Sequence, residues 1–210
     1  MAAEEEKRLI LVLDDDEAVR DSMEALLGNR GFRVRTFGAP GDFMSGLEQM
    51  TERACLLLDI RMPGVNGMDV LSTVVEKKVS LAVVMITGHA DVPTAVKAMK
   101  TGAVDFIEKP FTQDTILGAV EKAFDSFNES APTSVEVQRI KERFQDLSPR
   151  DRDVFERLVD GLSNKEIARE LDISPRTVEV YRAGVMEKMS AKNLSALVKM
   201  GLAAGMGKAL

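Results

Sequence analysis

The chain has 210 residues, 45% of them apolar and 30% charged, which suits one large folded domain or two small ones and is too rich in Leu, Val, Ile and Met for disorder. No apolar run approaches the roughly 18–20 residues of a bilayer span, and Glu4, Glu5 and Glu6 beside Lys7 and Arg8 are too acidic for a signal peptide, so no membrane and a cytoplasmic location are expected. One cysteine and one histidine exclude a disulfide framework and a Cys/His zinc site, and a net charge of −6, split as −7 over residues 1–125 and +1 over 126–210, argues against nonspecific polyanion binding.

Leu9–Leu13 is an unbroken apolar run that stops at Asp14, as in a strand buried on both faces. Val19, Met23, Leu26 and Leu27 follow at helical spacing, ending near Gly31. The cycle repeats with a strand at Arg33–Phe37, a helix over Pro40–Met50, a strand at Cys55–Asp59, a helix over Gly67–Glu76 and a strand at Leu81–Thr87. It closes with a helix beginning near Asp91, a strand at Asp105–Glu108 and a helix carrying Ile116, Leu117, Val120 and Phe124. Five strand-helix units predict a doubly wound parallel sheet with right-handed crossovers. Cys55 falls inside the third strand and reads as a small buried hydrophobe. His89 reads as a surface or turn residue and not as a catalyst.

Ligands of such sheets bind beyond the carboxyl ends of the strands. Those ends deliver Asp14, Asp15 and Asp16 from the first strand, Asp59 from the third, Thr87 from the fourth and Lys109 from the fifth. Clustered carboxylates repel unless a cation neutralises them, and this oxygen set suits Mg²⁺. A hydroxyl and an ammonium at the same edge supply what a transferring phosphoryl group requires, with Asp59 the best nucleophile candidate. Asp16 and Glu17 read equally as the acidic start of a helix, and the cis or trans state of Lys109-Pro110 is open.

The segments LILVLDDDEAVRDS from Leu9, LLLDIRMPGVNGMDVL from Leu56 and TGHADVPTAVKAMKTGAVDFIEKPF from Thr87 resemble the receiver domain of two-component response regulators, the FixJ type above all, over roughly residues 8–125. The resemblance implies a flavodoxin-like fold in which Asp59 accepts a phosphoryl group from a sensor histidine kinase. It implies that Asp14, Asp15 and Asp59, with the backbone carbonyl of Arg61, hold Mg²⁺. It further implies that Thr87 and Lys109 bind the phosphoryl group, that Lys109-Pro110 is cis, and that Phe106 occupies the switch aromatic position.

Ser126–Thr133 reads as a polar hinge, and Val137, Ile140, Phe144 and Leu147 beyond it share one helix face suited to packing. Three helix starts then follow: Ser148-Pro149, the capping box Ser163 to Glu166, and Ser174-Pro175. The last two helices are joined by so short a turn that they form a helix-turn-helix candidate. On the third, Val178, Val185 and Met189 point one way and should face a core; Arg176, Val180, Ala183 and Glu187 lie opposite. Small apolar residues with an N-terminal arginine suit a helix entering a DNA major groove. The stretch Ser174–Lys199 carries a local charge of +3. The Gly205–Lys208 end reads as frayed.

Residues 147–198, most densely SNKEIARELDISPRTVEVYR from Ser163, resemble the LuxR-type DNA-binding domain. Carried over by position, Glu179, Val180 and Ala183 face bases, while Arg176, Thr177, Arg182 and Lys192 lie near the phosphate backbone. The expected architecture is a receiver over residues 1–125, a partly helical linker over 126–145 and an all-α helix-turn-helix domain over 146–210. The expected function is a transcription regulator and no enzyme, in which phosphorylation of Asp59 drives homodimerisation and binding to double-stranded DNA, with RNA polymerase as a further partner and activation as the output. Two other readings compete: a phosphatase of the haloacid-dehalogenase type with Asp14 as nucleophile, and a receiver whose helical domain binds protein or RNA.

Overall fold

The computed structural model describes residues 7–47, 49–88, 91–128 and 132–207. His89, three residues of the expected hinge (129–131) and Lys208 lie outside them. By contact the chain forms two compact units, Met1–His89 with Thr101–Asn128, and Ala90–Lys100 with Glu129–Leu210.

The first unit holds five parallel strands: β1 (Leu9–Leu13), β2 (Arg33–Phe37), β3 (Ala54–Asp59), β4 (Leu81–Thr87) and β5 (Asp105–Glu108), in the order β2-β1-β3-β4-β5. β1 lies in register with β3, Leu9 opposite Ala54 and Leu13 opposite Leu58. Every residue of β1 and β3 is buried, because both faces of the sheet are covered. Ile10, Val12, Cys55, Leu57, Val84 and Ile86 share one core with Met23 and Leu27 of α1 (Glu17–Gly28) and with Ile116 and Val120 of α5 (Gln113–Ser126). The alternate residues Leu9, Leu11, Leu13, Leu56 and Leu58 are equally buried, as are Phe43 and Leu47 of α2 (Pro40–Leu47) and Leu71 and Val74 of α3 (Gly67–Glu76). The remaining helix of the receiver-like segment, α4, spans Val92–Thr101. The edge strands are more open: β2, carrying Arg33 and Arg35, has no fully buried residue, and β5 leaves Phe106 half-buried and Glu108 exposed. Cys55 is the expected buried hydrophobe, and burial pushes its thiol well above the ordinary range.

The second unit carries α6 (Ser134–Gln145), α7 (Pro149–Asp160), α8 (Asn164–Leu171), α9 (Pro175–Lys188) and α10 (Leu194–Ala203). Each expected helix start is capped: Ser148 and Ser163 sit in reciprocal capping boxes with Asp151 and Glu166, and Ser174 accepts from the Thr177 amide. Val154, Phe155, Leu158, Ile167, Leu171, Val178, Val185 and Met189 form the core, with Ile140 and Phe144 of α6 packed against it. Phe144 meets Phe155 edge-on at 5.1 Å, so α6 docks as a packing helix. The chain end departs from the expected fraying. Gly205 adopts φ +72°, the Met206 amide donates to the Gly201 carbonyl at 2.8 Å, and Met206 packs on the core, because a left-handed glycine closes the last turn of α10.

Asp151 is buried and accepts from the Ser148 hydroxyl at 2.6 Å and from Lys188 Nζ of α9 at 2.6 Å. Burial alone would raise its carboxyl, but the bonds from Lys188 and Ser148 outweigh it and hold the group below the usual Asp range. The stability this contributes is complete above the ordinary Asp pKa and is lost as pH falls through the lowered value. Asp151→Asn is therefore expected to destabilise this unit by about 1–2 kcal/mol at neutral pH, modest because Lys188 is half exposed, with the deficit closing on acidification below about pH 4. The single tyrosine, Tyr181 on α9, packs against the same core, so its fluorescence during denaturation reads this unit directly. An unchanged gap between pH 7 and acid would contradict the assignment.

Candidate functional site

The strand order reverses between β1 and β3, and the crevice outside their carboxyl ends holds the acidic cluster. Asp14 follows β1, Asp59 ends β3, and both are buried. Lys109, just after β5, reaches both, its Nζ 2.6 Å from Asp14 Oδ2 and 2.7 Å from Asp59 Oδ1. The second oxygens are also engaged. Asp14 Oδ1 accepts from the Asp16 amide at 3.0 Å, and Asp59 Oδ2 from the Arg61 amide at 2.6 Å. Thr87, the last residue of β4, is buried, and its carbonyl accepts from the Lys109 amide at 2.7 Å. The Lys109–Pro110 peptide is cis.

Burial, reinforced by the Asp14 charge, raises the Asp59 carboxyl above the usual Asp range despite Lys109 and the Arg61 amide. Burial disfavours the Lys109 ammonium, yet hydrogen bonds and charge from Asp14 and Asp59 outweigh it and raise its pKa. The directions agree physically. Lys109 sees two anions, whereas Asp59 sees one cation and one anion. One lysine thus leaves a surplus of negative charge at the crevice, to which exposed Asp15 adds. An all-oxygen set with surplus charge fits a hard dication, although among the described residues no group of three or more His, Cys, Asp or Glu is preassembled as a metal cage.

The remaining expected residues take varied places. Asp16 is the N-cap of α1, its carboxylate accepting from the Ala18 amide at 2.9 Å, in keeping with its helix-start reading. Arg61 is exposed on the loop after β3, bridged to Asn66. Phe106 is half-buried on β5, opposite Met85 of β4.

Two residues of this site escaped the sequence reading. Gly67 opens α3 so close to β3 that a Cβ there would lie 2.2 Å from the Asp59 carbonyl oxygen, and its amide donates to the Ile60 carbonyl at 2.9 Å. Arg20 Nη1 donates to the carbonyls of Asp14 and Asp15, both at 2.9 Å. A signal existed for Gly67, since glycine is a poor helix former directly after the cap Asn66 and so hints at close approach.

In the second unit α8 and α9 form the expected helix-turn-helix, turning at Asp172 with φ +54°. Val178, Val185 and Met189 are fully buried, and Arg176, Glu179, Val180, Ala183 and Glu187 are exposed on α9. Val180 stands 69% exposed, the most open of the large apolar side chains among the described residues. Thr177 is half-buried, its hydroxyl 2.8 Å from that of Ser174. Arg182 is half-buried, which lowers its pKa although nearby Glu179 opposes this, and Lys192 is exposed beyond the helix. Arg176, Glu179, Val180 and Ala183 therefore share an open helix face, while Thr177 and Arg182 lie at its margins.

Comparison with known proteins agrees with both halves. The response regulator receiver domain family matches residues 10–121, and the luxR family of bacterial regulatory proteins matches residues 145–201. The transcriptional regulatory protein FixJ of Bradyrhizobium diazoefficiens is 47% identical over 197 residues, covering 94% of this chain and 96% of that protein. FixJ of Rhizobium meliloti is 44% identical over 196 residues, covering 93% and 96%. The crystal structure of full-length FixJ from B. japonicum aligns with a TM-score of 0.55 at 46% identity, over 95% of this chain and 98% of that one. These relatives are regulators of transcription and not enzymes, which sets aside the phosphatase reading. With an acidic crevice at the switch point of a receiver sheet and a helix-turn-helix later in the chain, the chain belongs to the FixJ-type two-component response regulators, which join a receiver domain to a LuxR-type DNA-binding domain.

Proposed function

We propose that a sensor histidine kinase phosphorylates Asp59 and that this controls dimerisation and sequence-specific DNA binding, activating transcription. The observation that carries the reading is the convergence of buried Asp14 and Asp59 on the single Lys109 ammonium. A carboxylate oxygen of Asp59 attacks the phosphorus of the phosphohistidine, the new O–P bond replacing the P–N bond, and the imidazole leaves neutral, its nitrogen taking a proton from water. Asp14, Asp15, Asp59 and the Arg61 carbonyl would hold Mg²⁺, which supplies positive charge to the phosphoryl oxygens and relieves the carboxylate repulsion. Lys109 then exchanges an Asp59 contact for a phosphoryl oxygen, and the Thr87 hydroxyl donates to another. Drawing Thr87 toward the acceptor lets Phe106 repack and alters the surface through which two receivers pair.

The functional division we infer is a receiver over residues 1–125, a linker over 126–145 and the DNA-binding domain over 146–210, acting in the cytoplasm. On DNA, Glu179, Val180 and Ala183 read base edges. Arg176, Thr177, Arg182 and Lys192 contact the backbone, and a dimer spans two half-sites near RNA polymerase. Incubation with acetyl phosphate and Mg²⁺, followed by peptide mapping, is expected to find one phosphoryl group, on Asp59, and none in Asp59→Asn. Modification of Asp14 in its place would overturn the assignment.

A further inference from the structure

Arg20 lies one turn into α1, its guanidinium folded back over the loop that leaves β1. A single nitrogen, Nη1, donates to the two consecutive carbonyls of Asp14 and Asp15 at 2.9 Å each. Those two peptide planes set where the Asp14 and Asp15 side chains leave the backbone. The Asp14 amide is held as well, donating to the Phe37 carbonyl at the end of β2 at 3.2 Å. The next residue, Gly38, leaves the guanidinium room, because a Cβ there would sit 3.2 Å from both Cζ and Nη1 of Arg20 and press it aside by a few tenths of an ångström.

We propose that Arg20, given room by Gly38, is a positioning residue for the divalent-cation site, fixing the Asp14 and Asp15 backbone so that both carboxylates face the crevice. The proposal rests on the receiver reading above. It separates from a simple charge effect by its sign. A guanidinium beside a dication site repels the dication, so removing it for charge alone would tighten binding, whereas loss of a positioning contact weakens it.

Mn²⁺ binding to the full-length chain, followed by electron paramagnetic resonance, tests this, with thermal melting alongside. Arg20→Gln is expected to weaken Mn²⁺ about tenfold, the low end of what outer-shell partners of metal ligands contribute. Arg20→Lys, which keeps the charge but places a shorter, tetrahedral ammonium where the planar guanidinium reaches both carbonyls, should fall between Arg20→Gln and the unaltered chain. Gly38→Ala, which keeps the guanidinium and pushes it aside, should weaken binding severalfold, and it decides the matter should Arg20→Gln fail to fold. Unchanged or tighter Mn²⁺ binding by folded Arg20→Gln, or by Gly38→Ala, would overturn the proposal. Absence of saturable binding by the unaltered chain would instead overturn the metal assignment on which it rests.

Discussion

Gly67→Ala is expected to cost about 3 kcal/mol of receiver stability and to slow phosphorylation of Asp59 roughly a hundredfold. The new Cβ would meet the Asp59 carbonyl oxygen at 2.2 Å, the Ile60 Cα at 2.9 Å and the Asp59 carbonyl carbon at 3.0 Å. All three are backbone atoms, so no side-chain rotation relieves the overlap. Relief requires α3 to back away from β3, which stretches the bond from the Gly67 amide to the Ile60 carbonyl and shifts Asp59 relative to Lys109. Gly118→Ala is the control. That position is exposed within α5, has nothing within 4 Å, and should gain up to about 1 kcal/mol from the better helix former. Circular dichroism melts of the two variants, with acetyl phosphate labelling, check both halves of this expectation. Equal stability and equal labelling in Gly67→Ala would contradict the close approach.

Lys109→Met should destabilise the receiver by about 3 kcal/mol at pH 8, because it strands Asp14 and Asp59 beside each other without the ammonium that both contact. Their side chains are only 5% and 7% exposed, so water offers little replacement. The pH dependence follows in sign. Burial already raises the Asp59 carboxyl, and removing the cation raises it further. A carboxyl raised on folding binds protons more tightly in the native state, so stability falls as pH rises through its titration and recovers in acid. The variant's deficit is therefore expected to shrink at pH 5. Mg²⁺ should restore part of it at pH 8, since a dication that binds only the folded state stabilises it by mass action. Urea denaturation at the two pH values, with and without Mg²⁺, makes the comparison, and a deficit independent of both would contradict the electrostatic account.

Much of the fold was legible in the sequence because burial on both faces writes itself as unbroken apolar runs. Leu9–Leu13 and the run ending at Asp59 stop at the acids that occupy the crevice. The helix starts at Ser148, Ser163 and Ser174 were equally plain, since a hydroxyl followed three residues later by an acid or another hydroxyl satisfies local donors. Asp59 and Lys109 were legible as strand-end residues, but the bonds that tie Lys109 to Asp14 and to Asp59 cross 95 and 50 residues of chain and follow from topology alone. Arg20 and Gly38 show the limit more sharply. A surface arginine on an amphipathic helix and a glycine after a strand are each ordinary, and only the parallel pairing of β1 with β2 brings them together. The tie between Asp151 and Lys188 joins residues 37 apart and was hidden for the same reason.

The central claim is that modification of Asp59 governs what α9 binds. Its most direct test is titration of duplex DNA, selected with the phosphorylated chain, against the full-length protein with and without acetyl phosphate and Mg²⁺, beside Asp59→Asn and across a range of salt concentrations. The account predicts tight, steeply salt-dependent binding to a dyad-symmetric duplex only when Asp59 carries the phosphoryl group, and no response from Asp59→Asn. Failure of selection to enrich any duplex while Asp59 is demonstrably phosphorylated, or equal affinity in all four states, would contradict it.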